Sequence, residues 1–159
     1  MPFQSLLAAD RIALLVEAGD RDAVLDAAAR LLSDASAANT QAVADSLRKR
    51  ERLGSTGIGH GIAIPHGRTP AFNEARGAFL RLGDPVDFGA SDGEPIDLVF
   101  AMAVPEHFTQ QHLQLLAEIA ERFSDAAFRA ALRAAPDIAA LRDVLMAPAS
   151  APLAAGGAA

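Results

Sequence analysis

The chain has 159 residues, 51% hydrophobic and 21% charged, with a formal net charge of −6 and no cysteine. That composition suits one folded domain with its own core, and it excludes a disordered chain, disulfides and thiolate metal sites. The acidic balance, with no basic run longer than Arg48-Lys49-Arg50, speaks against nucleic acid as a partner, because phosphate contacts need a basic stripe.

No secretory signal is expected, since Asp10, Arg11 and Glu17 interrupt the first apolar stretch. The longest strongly apolar run, residues 98–104, is strand length and falls far short of the roughly 20 residues of a spanning helix. A cytoplasmic protein without membrane insertion is the expectation. In chain order, residues 11–16 predict a short strand ended by Gly19. Asp20 then predicts an N-cap for a helix whose Val24, Leu25, Ala28, Leu31 and Leu32 follow helical spacing. A second helix is expected to start near Asn39 and Thr40, run through Val43 and Leu47, and stop at Gly54, a natural C-cap residue.

Residues 55–68 are rich in glycine and isoleucine and have no helical period. Strands follow at 75–82 and 96–104, the second apolar throughout, as suits burial on both faces. Between them, residues 84–87 and 91–95 read as turn chemistry. A third helix is predicted after Pro105, with Thr109 as N-cap, ending about Phe123, and two short helices at 125–134 and 136–145. There is no internal repeat. Residues 147–159, all small or apolar, predict a disordered tail beyond a single domain of residues 1–146. Helices, then strands, then helices predict an α/β three-layer sandwich, a mixed β-sheet flanked by helices.

Chemistry concentrates in Gly54-Ser-Thr-Gly-Ile-Gly-His-Gly-Ile-Ala-Ile-Pro-His-Gly-Arg68. Ile62, Ile64 and His66 share parity, so an extended chain points them to one face, with His66 at the rim of the core. Pro65 cannot donate to a sheet ladder, so the strand is expected to end there, and Gly67 is expected to let the backbone turn and to leave space beside the ring. Such a histidine suits a nucleophile. Taken alone, the segment fits a packed strand-end histidine at least as well.

Two more polar residues fall on apolar faces. Arg50 follows Val43 and Leu47 at i+7 and i+3, on the buried stripe of its helix, whereas Lys49 and Arg52 do not. An inward arginine needs an anion or a route to water, and its guanidinium fork matches phosphate; a structural ion pair or a snorkelling side chain is the plainer alternative. His112 lies on the face of Leu116, Ile119, Ala120 and Phe123, in a first helical turn where an anion is favoured; a satisfied core histidine is the plainer alternative. The chemistry that His66, Arg50 and His112 share is phosphoryl transfer to nitrogen, with Arg50 and a protonated His112 spreading the charge and no metal or other cofactor required.

Other chemistries fit less well. The G-x-G-x-G of residues 57–61 does not open a helix, so it fails the context of a dinucleotide site. His60, His66, His107 and His112 would supply nitrogen ligands for zinc, but no H-E-x-x-H occurs, and a serine hydrolase lacks its G-x-S-x-G elbow.

The run from Arg50 to Arg68 resembles the IIA proteins of the bacterial phosphoenolpyruvate-dependent phosphotransferase system. It is most similar to their nitrogen-regulatory branch and more distantly to fructose- and mannitol-type IIA domains. Val104-Pro-Glu-His-Phe-Thr-Gln-Gln-His-Leu113 resembles the family's second histidine motif, and the resemblance runs from about Ser5 to Leu145. It implies that His66 is phosphorylated through Nε2, that Arg50 and His112 are the active-site arginine and second histidine, and that Thr56, His60 and Gly67 neighbour the phosphate. It implies a donor, an HPr-like carrier charged by an enzyme I using phosphoenolpyruvate, which docks transiently on a shallow apolar surface around His66. It also implies an output through regulated cytoplasmic proteins such as transporters, kinases or sensors. His60 departs from the polar or acidic residue usual at its position. The remaining alternatives are a sugar-specific IIA subunit passing phosphate to a IIB domain, and a binding module of the same fold without phosphotransfer.

Overall fold

The computed structural model describes residues 3–15, 17, 19–34, 36–107 and 110–147. Two short 3-10 turns, Phe3–Leu6 and Ala9–Arg11, lead into strand β1 (Ile12–Leu15). Helices α1 (Arg21–Leu32) and α2 (Ala37–Leu53) follow. Then come strands β2 (Gly57–Gly59), β3 (Ile62–Ala63), β4 (His66–Thr69), β5 (Arg76–Val86) and β6 (Ile96–Pro105). Helices α3 (Gln110–Phe123), α4 (Ala126–Ala134) and α5 (Ile138–Met146) complete the described chain.

The caps follow the local chemistry. Asp20, Asp125 and Asp137 each accept a hydrogen bond from a first-turn N–H, of Ala23, Ala127 and Ala140, satisfying donors that a helix start leaves free. Helix α2 starts at Ala37, earlier than the expected Asn39, because Ser36 is extended and Ala37 and Ala38 accept helical geometry readily. The expected cap Thr109, the strand end at Val16 and the tail past Ala147 lie outside the described residues.

The sheet has six strands in the order β1-β5-β6-β3-β2, with β4 also paired to β6. Its ladders are mixed: β1 and β5 run parallel, β5 and β6 antiparallel, and β3 and β4 both parallel to β6. Strand β6 shows why it reads as continuously apolar. Val99, Ala101 and Ala103 point into a core under α1 and α2, and Leu98, Phe100, Met102 and Val104 into a second core under α3, α4 and α5. This is the three-layer α/β sandwich that the chain order predicts. Asp84 and Pro85, expected in a turn, instead belong to the far end of β5, where the register with β6 slips between Arg81 and Val86. Both are exposed, and a proline is tolerated at such an irregularity.

Candidate functional site

The site lies where β4 leaves the sheet edge between the two helical layers. Pro65 interrupts the strand, as a residue without an N–H must, but pairing resumes at His66, which stands opposite Met102 of β6. Strand β3 thus ends before Pro65, in line with the expectation, and β4 is a separate strand. The turn assigned to Gly67 is corrected. Gly67 sits inside β4, and its missing side chain accommodates α2 instead: a Cβ there would collide with Ser46 Oγ. Ser46 uses this close approach to donate a hydrogen bond to the Arg68 carbonyl at 2.8 Å, which ties α2 to β4 beside the histidine.

Ile62 and Ile64 face the α3 core, and His66 shares their side, as parity predicts. Its ring lies 5.1 Å from that of His112 on α3. His66 Nδ1 is 2.8 Å from the Ile64 carbonyl oxygen. A carbonyl only accepts, so Nδ1 carries the proton and the Nε2 lone pair is free. Burial is the main influence that lowers the His66 pKa; Arg50 lowers it further, while the bond to Ile64 works the other way. The ring is thus held neutral near pH 7, the state in which imidazole is a nucleophile.

Arg50, at the end of α2, is half-buried and donates from Nη1 to the Gly54 carbonyl at 2.9 Å. It has no carboxylate partner among the described residues, so most of its fork remains available to an anion. His112 is 8% exposed, and its Nδ1 is buried without a partner. Its pKa is lowered from 6.5 to about 4, by burial first and then by His66, Arg68 and Arg50. The expectation of a protonated His112 is corrected for the free protein: a buried ring among cations stays neutral at pH 7.

Together Ser46, Lys49, Arg50, Leu53, His66 and Arg68 line an open hollow of about 430 Å³ that His112 and Glu106 also border. An adjoining hollow is lined by Arg50, Thr56, Ile58, Ile64 and His66. Of their lining residues, Leu53 and Ile58 stand 81% and 43% exposed. In a chain of net charge −6 this face is locally cationic and apolar.

Thr56 is in the site wall, but its hydroxyl is already used: it donates to Glu51 Oε1 at 2.7 Å, and its N–H donates to Oε2 at 2.8 Å. Sequence reasoning missed Glu51, which is only 2% exposed. The available signal was its own position, an acid in the last turn of a helix, where the dipole disfavours it.

His60 does not border either hollow at His66. It occupies the β2–β3 turn with φ of +59° and borders a different hollow with Glu94, Asp97, Arg129 and Arg133. From the turn at His60 and Gly61 the chain runs away along β3 before it reaches Ile64 and His66, which is why closeness in sequence does not become closeness in space.

Fold and site together define a class: a one-sheet α/β sandwich presenting a neutral, tautomer-fixed histidine beside an uncommitted arginine. Residues 5–147 match the family described as "Phosphoenolpyruvate-dependent sugar phosphotransferase system, EIIA 2", and the chain belongs to that family. It is similar to a nitrogen regulatory protein of Bradyrhizobium diazoefficiens, 37% identical over 148 residues, covering 93% of this chain and 97% of that one. A nitrogen regulatory protein of Pseudomonas aeruginosa is 40% identical over 144 residues, covering 90% and 94%. The crystal structure of the nitrogen regulatory protein IIA-Ntr from Neisseria meningitidis matches with a TM-score of 0.82 at 38% identity, covering 90% of this chain and 98% of that one.

Proposed function

We propose that this chain is a regulatory phosphocarrier of a nitrogen-type phosphoenolpyruvate-dependent phosphotransferase system, and that it accepts a phosphoryl group on His66 from an HPr-like carrier. The observation that carries the reading is the 2.8 Å bond of His66 Nδ1 to the Ile64 carbonyl, which leaves Nε2 unprotonated beside Arg50. In the transfer, the Nε2 lone pair forms a bond to phosphorus as the donor's N–P bond breaks, and that electron pair returns to the donor's imidazole. No base is needed, because the attacking nitrogen carries no proton. Arg50 spreads the charge of the transferred group over its guanidinium.

Once His66 carries the group, up to two negative charges are added beside the cations of the hollow. They raise the proton affinity of His112, which then becomes a donor to the phosphoryl oxygens. Leu53 and Ile58 give a carrier an apolar platform, small enough for a transient complex. Lys49 and Arg68 at the hollow favour partners with acidic groups at the rim and add salt dependence to the encounter. Phosphorylation changes the charge of this same face, which lets regulated proteins distinguish the two forms.

The full-length similarity to nitrogen regulatory proteins supports this branch over a sugar-specific IIA subunit. The presence of both His66 and Arg50 supports a carrier over a silent binding module. Among the described residues no helix is long and apolar enough to cross a membrane; cytoplasmic partners are the ones this reading requires. The test is incubation with phosphoenolpyruvate, enzyme I and an HPr-type carrier, followed by intact mass. Wild type should gain one acid-labile phosphoryl group and His66→Ala none. An unmodified wild type, beside a control IIA protein that is modified, would refute the proposal.

A further inference from the structure

Glu51 presents an energetic anomaly. It is a carboxylate 2% exposed, in the last turn of α2, where the helix dipole repels negative charge. A buried acid in such a place is costly unless its oxygens are bonded. Both of them are, and both to one residue: Oε2 accepts the N–H of Thr56 at 2.8 Å and Oε1 accepts its hydroxyl at 2.7 Å. A fork of this kind fixes the position and the orientation of Thr56 at once.

The consequence runs directly to the nucleophile. The Thr56 carbonyl accepts the N–H of Ile64 at 3.0 Å, and the Ile64 carbonyl accepts the proton on His66 Nδ1 at 2.8 Å. These bonds lie in different peptide planes, so they form a chain of positions and not a route for protons. Its effect is geometric. Each link fixes the next, and the last one decides which ring nitrogen of His66 carries hydrogen. The chain starts on the residue next to Arg50, so the same helix end places the phosphate-binding cation and the acceptor that sets the tautomer.

We propose that Glu51 is a positioning residue for phosphoryl transfer: through Thr56 and Ile64 it holds His66 in the tautomer whose Nε2 is free to attack. The transfer itself rests on the function proposed above; the tautomer does not. The anchor is a hydrogen-bond fork and not a charge, so a glutamine should replace it. Its oxygen accepts from the Thr56 N–H, and its amide donates to the Thr56 hydroxyl, which can act as acceptor.

The test compares the full-length wild type with Glu51→Gln, Glu51→Ala and the isosteric Thr56→Val. Two readouts are taken: the His66 tautomer, from nitrogen chemical shifts and two-bond couplings, and the rate of phosphoryl acceptance from the phosphorylated carrier. Glu51→Gln should keep the Nδ1–H tautomer and the wild-type rate. Glu51→Ala should populate the Nε2–H form and lose rate about 10-fold, the scale of losing a partner that orients a functional histidine. Thr56→Val, losing one arm of the fork, should fall between them, and it remains informative if Glu51→Ala does not fold. A wild-type tautomer in Glu51→Ala or, where that variant does not fold, in Thr56→Val would overturn the proposal, as would a Glu51→Gln tautomer as mixed as that of Glu51→Ala. Should wild type accept no phosphoryl group, the function proposed above fails, and the tautomer readout still decides the role of Glu51.

Discussion

Two hollows of similar size flank the glycine-rich segment, and each holds a histidine and arginine. Near His66 the hollow measures about 430 Å³, and near His60 about 370 Å³. Their residue types differ little; their bonding differs greatly. At the His60 end, Arg133 donates from Nε and Nη2 to both oxygens of Asp97, and from Nη2 to the carbonyl of His60. Its fork is spent on holding the β2–β3 turn. At the His66 end, Arg50 spends one N–H on Gly54, and the histidine has a fixed tautomer. An anion site needs donors without an internal partner and few acids beside them: Arg50 meets both conditions next to His66, whereas near His60 Arg133 is committed and Glu94 and Asp97 line the hollow.

Removing each arginine sharpens this contrast most. Arg50→Ala should slow phosphoryl acceptance by about 100-fold or more, the scale of deleting a charge-stabilising donor. Arg133→Ala should leave the rate unchanged and lower stability by at most about 1 kcal/mol, since its ion pair is partly exposed. Rates of phosphorylation and melting temperatures of the two variants check both statements, and equal rates would break the comparison.

A smaller effect follows from His112. Its pKa is about 4 in the folded chain against an ordinary 6.5, so between those values the unfolded chain binds more protons. Stability then rises with pH across that window and is lost as pH falls from about 6.5 to about 4. The lowered pKa of His66 acts in the same direction. Melting temperatures over that range should fall less steeply for His112→Gln than for wild type.

His60 should matter least. His60→Asn keeps a residue that tolerates positive φ, and the lifetime of the phosphorylated protein should equal that of wild type. A changed lifetime would bring the second hollow back into the chemistry.

The differences between expectation and structure have physical causes. The two faces of β6 and the inward stripes of α2 and α3 were legible because period 2 and period 3.6 survive burial, and they bring His66, Arg50 and His112 into one hollow. His60 was misplaced because a tight turn and the run from Ile62 to Pro65 separate it from His66, a distance that sequence numbering conceals. Gly67 was read as a turn because a glycine's need for space and its need for φ look alike in a sequence; Ser46, whose approach explains it, lies 21 residues away. Glu51 was overlooked because a polar residue beside Arg50 and Arg52 reads as a solvated helix end. The charge state of His112 depends first on its burial and then on His66, Arg68 and Arg50 converging on it; that convergence is what no local pattern encodes.

The central claim concerns one atom, Nε2 of His66. Nitrogen and phosphorus magnetic resonance on the protein phosphorylated by an HPr-type carrier would locate the group directly. The account predicts one phosphoryl group bonded to Nε2 of His66, with Nδ1 still protonated and bonded to the Ile64 carbonyl. Attachment at Nδ1, or on His60, His107 or His112, would contradict it.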